Sequence, residues 1–147
     1  MSLSEPMSMT VQPLFKPGCE PARYAPGVLR FHHVNLGVPV GGAEAEGAFL
    51  LEVLGYRRVV PPPELAGVAR WFESEDGRQI HLSEDPDHRA AARAHVAVEV
   101  GSDLAALEQK LQGAGIEYST VGVDRQRVVF CRDPAGNRWE LRGEPPA

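Results

Sequence analysis

The chain is poor in cysteine, with only Cys19 and Cys131 among 147 residues. Two cysteines cannot build the disulfide framework of a small secreted domain. A reducing cytoplasm is the expected compartment, with a Cys19–Cys131 bridge as the alternative. Basic charge is also scarce: 15 Lys and Arg stand against 20 Asp and Glu, a formal charge of -5. That argues against a nucleic-acid partner, which would call for a basic patch or stripe. It permits a cationic ligand without requiring one. No apolar run approaches the roughly 20 residues that cross a bilayer, so no membrane partner is expected. The opening MSLSEPMSMTVQP lacks the basic and apolar regions of a secretory signal. What is present, 43% hydrophobic and 24% charged residues, is ordinary globular composition. The length suits one domain, or two small modules sharing a core.

Up to about Pro26 the chain is rich in Pro, Ser and Glu without periodicity. Residues 1–27 therefore read as a flexible N-terminal tail, or an arm laid over the surface. From His33 the residues alternate: His33, Asn35 and Gly37 on one face, Val34, Leu36 and Val38 on the other. That is a half-buried strand. Ala43 to Leu54 reads as a helix stopped by Gly55, with Ala45, Phe49 and Val53 on its buried stripe and Glu44, Glu46 and Glu52 off it. Strands are expected over 56–60, 68–73 and 79–83, with Pro61 to Pro63 forcing a loop and Glu75-Asp76-Gly77 a tight turn.

After a polar, alanine-rich connector over 84–93 the pattern restarts. His95, Ala97 and Glu99 alternate with Val96, Val98 and Val100. Ser102 is the expected cap of a second helix buried through Leu104, Leu107 and Leu111. Strands follow over 116–121, 126–131 and 138–142, the last after an Asp133-Pro134-Ala135-Gly136 turn. The order is βαβββ twice. The single domain is expected over 28–143, made of modules 28–85 and 94–143, with a short tail at 144–147. The fold class is α+β, two βαβββ modules forming a cupped, barrel-like mixed sheet with the helices outside.

The halves also match residue by residue. HHVNLGV aligns with AHVAVEV, and DGRQIHL with AGNRWEL, as in a duplicated supersecondary unit. His33 and His95 become equivalent, as do His81 and Glu140. Strand alternation offers His33, Gln79, His81, His95, Glu99, Arg138, Glu140 and Arg142 to the faces the helices leave open. Three histidines and one glutamate at matching positions form an N/O set suited to a divalent Zn, Ni, Fe, Mn or Co ion. His32, on the opposite parity, and His88, in the connector, are not included.

These stretches resemble the vicinal oxygen chelate superfamily, which includes glyoxalase I, extradiol dioxygenases, fosfomycin-resistance thiol transferases, methylmalonyl-CoA epimerase and bleomycin-resistance proteins. The resemblance runs from about Leu29 to Arg142. It rests on HHVNLGV, FLLEVLGYRRV, QIHL, HVAVEV followed by LEQKLQGAGI, and DPAGNRWEL, the most specific of them. It implies metal ligation by His33, His81, His95 and Glu140, with Glu140 as general base. It implies a small oxygen-rich metabolite as substrate, lyase/isomerase or extradiol-type dioxygenase chemistry, and a homodimer. Asn35 and Gln79 would orient the substrate, and Arg138 or Arg142 would hold a carboxylate. Glu99 is a second base candidate, or pairs with Arg138 or Arg142. The chain departs from the pattern at Phe49-Leu50, where many members have Phe-Tyr. It departs more sharply at His81, where proteins resembling glyoxalase I carry glutamate. The dioxygenase set of two histidines and a glutamate would be His33, His95 and Glu140. The alternative function is a non-catalytic drug- or antibiotic-binding protein of the bleomycin-resistance type.

Overall fold

The computed structural model describes Gly27 and residues 29–144. Nearly all of the expected N-terminal tail, Cys19 and most of the C-terminal tail lie outside them. The first module runs β1 (His33–Val38), α1 (Ala43–Ala48), β2 (Arg57–Val59), β3 (Ala69–Glu73) and β4 (Gln79–Glu84). The second runs β5 (His95–Gly101), α2 (Leu104–Gly113), β6 (Tyr118–Val123), β7 (Gln126–Arg132) and β8 (Arg138–Gly143). Each module is one four-stranded mixed sheet, ordered β1-β4-β3-β2 and β5-β8-β7-β6. The first and last strands of each module pair in parallel, and the rest are antiparallel. The duplication read from the sequence is therefore a duplication of topology.

The central strands of each sheet bury apolar residues under the helices. Phe72, Ile80 and Leu82 of the first sheet and Val129, Trp139 and Leu141 of the second are buried in one continuous core with Phe49, Leu50, Leu104, Leu107 and Leu111. The two helix-covered faces merge: the Phe49 ring lies 5.7 Å from that of Trp139, across the module boundary. Burying each of these large side chains removes about 1.5–3 kcal/mol worth of apolar surface from water. The polar faces carry the candidate ligands and stay outside this core.

Three local features differ from the sequence expectation. The first helix widens into a π-turn over Phe49–Val53, closed by Leu54 N–H to Phe49 O at 3.2 Å. Its buried side is Ala43, Glu46, Gly47, Phe49, Leu50 and Val53, while Ala45 is exposed. Glu46, expected in solvent, is fully buried. Hydropathy put the alanine inside and the glutamate outside; the spacing of Leu50 and Val53 turns the helix the other way. Second, α2 is capped at Asp103, without a side-chain hydrogen bond, rather than by Ser102. Third, β6 and β7 run on to a two-residue turn at Asp124 and Arg125, both with positive φ (48° and 60°). This is the backbone sense that continues strand twist, adopted here without the Asn-Gly or Asp-Gly signature that marks it in a sequence.

Among the described residues no helix is long and apolar enough to cross a membrane.

Candidate metal centre

The registers place the four candidate ligands with internal symmetry. His33 lies opposite Gln79, and Asn35 opposite His81; His95 lies opposite Arg138, and Ala97 opposite Glu140. In each module the first-strand histidine and the last-strand ligand thus sit on adjacent parallel strands, offset by two residues. Side chains two apart share a face, so each module brings one pair together.

In the first module the His33 and His81 rings stack 4.1 Å apart. Trp71 of β3, directly opposite His81, closes the other side of that ring at 4.0 Å with an interplanar angle of 3°. His81 is thus the middle layer of a three-ring stack. Burial, reinforced by His33 and His32, pushes its pKa down to about 4. It is a neutral imidazole at neutral pH, the state that binds metals. Its Nε2 lies 2.9 Å from Gln79 Oε1. His32 Nδ1 lies 2.8 Å from His33 Nδ1. The Ser83 hydroxyl donates to Asn35 Oδ1 at 2.9 Å.

In the second module His95 Nε2 stands 3.0 Å from Glu140 Oε2. His95 Nδ1 meets the Arg93 carbonyl at 3.0 Å, a backbone contact of the kind that orients a ligating histidine. Arg142 Nη1 donates to the other Glu140 oxygen, Oε1, at 2.5 Å, and Arg142 Nη2 donates to Gln126 Oε1 at 2.6 Å. Arg142 is therefore committed to Glu140 and is not a free anchor for a substrate carboxylate. Arg138 lies over the Phe130 ring at 4.3 Å. Glu99, exposed on β5, pairs with neither arginine.

His95 Nε2 and Glu140 Oε2 offer a nitrogen and an oxygen donor side by side, of the types a divalent ion takes. The two pairs do not merge: among the described residues no three His, Cys, Asp or Glu side chains stand close enough to hold one ion. A cleft of about 720 Å³ separates β5 from the first module, lined by Gln79, Ile80, His95 and Glu99 among others. That volume suits a small molecule.

Trp71 and Phe130 were not singled out in the sequence. They hold matching places, ten residues before His81 and Glu140, and the repeat was the signal that could have found them. Arg142 and Glu140, two apart on one strand, also share a face by parity alone.

The same architecture occurs in solved structures. A glyoxalase family protein from Bacillus anthracis superposes with a TM-score of 0.71 at 28% identity, over 80% of this chain and 96% of the other. A glyoxalase/dioxygenase from Nostoc punctiforme gives 0.69 at 22% identity, over 93% and 100%. The E126Q mutant of the fosfomycin resistance protein FosX from Listeria monocytogenes, complexed with Mn(II) and 1S,2S-dihydroxypropylphosphonic acid, gives 0.65 at 16%, over 78% and 90%. Among curated proteins none matches the chain. The family model for the glyoxalase/bleomycin resistance protein/dioxygenase superfamily matches residues 30–141, taking in both sheets, both helices and all four candidate ligands, so this chain belongs to that superfamily.

Proposed function

We propose that the protein is a metal-dependent enzyme of the glyoxalase/dioxygenase type, acting in the cytoplasm on a small oxygen-rich metabolite by lyase/isomerase or dioxygenase chemistry. His33, His81, His95 and Glu140 are the residues that would hold a Zn, Ni, Fe, Mn or Co ion. The observation that supports this most directly is the His95 Nε2–Glu140 Oε2 distance of 3.0 Å, matched in the other module by the His33–His81 stack. When bound, the metal supplies Lewis acidity that steadies negative charge on a substrate oxygen. The protein's own groups do the rest. Arg142 holds Glu140 through Oε1 and Oε2 faces His95, so Glu140 would act as a base through an oxygen released from one of these contacts. Gln79 and Asn35 border the histidine pair and offer amide groups to a polar substrate. Metal analysis of protein purified without chelator tests the reading. A near-stoichiometric divalent ion that is lost in His95→Ala supports it. Sub-stoichiometric metal with no gain on adding Zn, Ni, Fe or Mn overturns it.

The working unit we propose is a homodimer. β1 and β5 are the outer strands of their sheets, and an outer strand presents unpaired backbone groups that invite pairing. In such a dimer His33 and His81 of one copy would complete a site with His95 and Glu140 of the other. Mixing His33→Ala chains with Glu140→Ala chains tests this. In shared sites the mixed dimer regains one intact site in two; in sites confined to one chain nothing is regained.

One observation favours a second reading. The two half-sites are separate within the chain, as suits a binding protein of the bleomycin-resistance type that uses the cleft alone. Metal-independent binding of a cationic drug-like molecule would select it.

A further inference from the structure

The buried carboxyl group of Glu46 takes no part in the metal centre, and the sequence gives it no reason to be buried. It projects from α1 of the first module against the Asp133–Gly136 turn of the second. Its Oε2 accepts the Ala135 backbone N–H at 3.3 Å. Its Oε1 is buried without a hydrogen-bond partner. The neighbouring Asp133 is already occupied as an acceptor: Oδ1 takes Asn137 N–H and Oδ2 takes Trp139 Nε1–H, each at 2.8 Å. Two buried carboxylates side by side are costly, and an orphaned buried oxygen adds to the cost. A proton on Glu46 removes both problems, because the acid O–H then donates to Asp133.

The second module's helix supplies a contrast. Glu108 on α2 is also buried. It is met by Arg127 at 2.6 Å and by the Thr120 hydroxyl at 3.3 Å. The arginines that reach Glu46's helix, Arg58 and Arg70, pair instead with Glu44, and Arg58 also lies over Phe72. The other titratable groups around the contact are Cys131, buried beside Asp133, and His88, whose Nε2 meets the Ala135 carbonyl at 2.8 Å. Glu108 is thus met by a cation, whereas among the described residues no ion pair reaches Glu46.

We propose that Glu46 is held as the neutral acid and is the pin that fastens the second module's turn to the first module's helix, so that its ionisation loosens the register between the modules. Ala135 is held from both sides, by Glu46 of the first module on its N–H and by His88 of the connector on its carbonyl. Asn137 adds a third contact, donating from Nδ2 to the Gly37 carbonyl at 3.2 Å. The turn itself is tight. Gly136 has φ +84°, and a Cβ there would come within 3.1 Å of Ala90. It leads directly into β8, so the pin sets where Glu140 stands relative to β1 and β4. The shift in Glu46's ionisation points the same way: burial first, then the Asp133 hydrogen bond and charge, push it up to about 9.

Carbon-13 NMR of the Glu side-chain carboxyl carbons in the full chain, with the Ala135 and Asn137 amide signals, tests the pin between pH 4 and 10. The expected result is one carboxyl carbon titrating near pH 9, assigned to Glu46 by its loss in Glu46→Gln, with both amide signals moving at the same midpoint. Glu46→Gln keeps an N–H for Asp133 and an oxygen for Ala135, and its amide signals should show no such step. A Glu46 carbon that titrates in the ordinary carboxylate range overturns the proposal, and so does an amide step that survives in Glu46→Gln. If Glu46→Gln does not fold, selective glutamate labelling of the wild-type chain still decides the first point.

Discussion

The indole of Trp71 lies face to face with the His81 imidazole, 4.0 Å away and 3° from parallel, while His33 covers the opposite face at 4.1 Å. The stack leaves His81 little rotational freedom and keeps its ring dry. Trp71→Ala removes one wall. Groups that orient a ligating histidine commonly change metal affinity about 10- to 100-fold. The expected outcome is a loss in that range for Zn or Mn by titration calorimetry, with the fold intact by circular dichroism. Unchanged affinity would mean that the stack serves packing alone.

Arg142 is the corresponding support in the second module. It joins Gln126 to Glu140 Oε1, while Oε2 faces His95. Arg142→Lys keeps the charge but cannot reproduce the forked contact. Metal affinity should fall, and Arg142→Ala should fall further. Stability should fall by about 1–3 kcal/mol in Arg142→Ala, since the largely buried Glu140 carboxylate loses its charged donor. If Arg142 instead anchors substrate, both variants will raise KM and leave metal affinity alone.

Most of the candidate site was legible because it depends on strand parity and repetition. Val34, Leu36 and Val38 fix which way His33 points, and the match of GRQIHL to GNRWEL finds His81 and Glu140. Hidden from the sequence was everything that depends on which strand lies beside which. Trp71 meets His81 only because β3 pairs with β4 in that register. Arg142 chooses Glu140 over Glu99 although all three share a face. Glu46 was misplaced because hydropathy treats a carboxyl group as charged, whereas its surroundings in the folded chain favour the acid. The separation of the two half-sites was equally invisible, since it follows from the helix-covered faces sharing one core.

That shared core gives a stability prediction. The Trp139 ring is fully buried and its Nε1–H donates to Asp133 at 2.8 Å. Trp139→Phe preserves most of the apolar surface but leaves a buried carboxylate oxygen without its donor. A loss of about 1–3 kcal/mol is expected from that orphaned acceptor. Leu50→Ala, at a fully buried position on the first helix, should cost about 2–5 kcal/mol through the cavity it leaves. Urea denaturation at neutral pH measures both. A Trp139→Phe variant as stable as wild type would show that Asp133 finds another donor.

The pH dependence of stability follows from Glu46. In the folded chain its pKa is pushed up to about 9, against an ordinary value of 4.5. Between those values the folded protein keeps a proton that the unfolded chain has released. Stability must then fall as pH rises across that window, by up to about 1.4 kcal/mol per pH unit, and level off above it. The direction is opposite to that of a salt-bridged carboxylate, which stabilises more as pH rises. Glu46→Gln removes the titrating group while keeping the hydrogen bonds, so its stability should be flatter from pH 5 to 9 and should exceed that of wild type at pH 8. Chemical denaturation at several pH values reads this directly. A wild-type curve that rises or stays flat from pH 6 to 8, with Glu46→Gln parallel to it, would show that Glu46 is ionised in the folded protein.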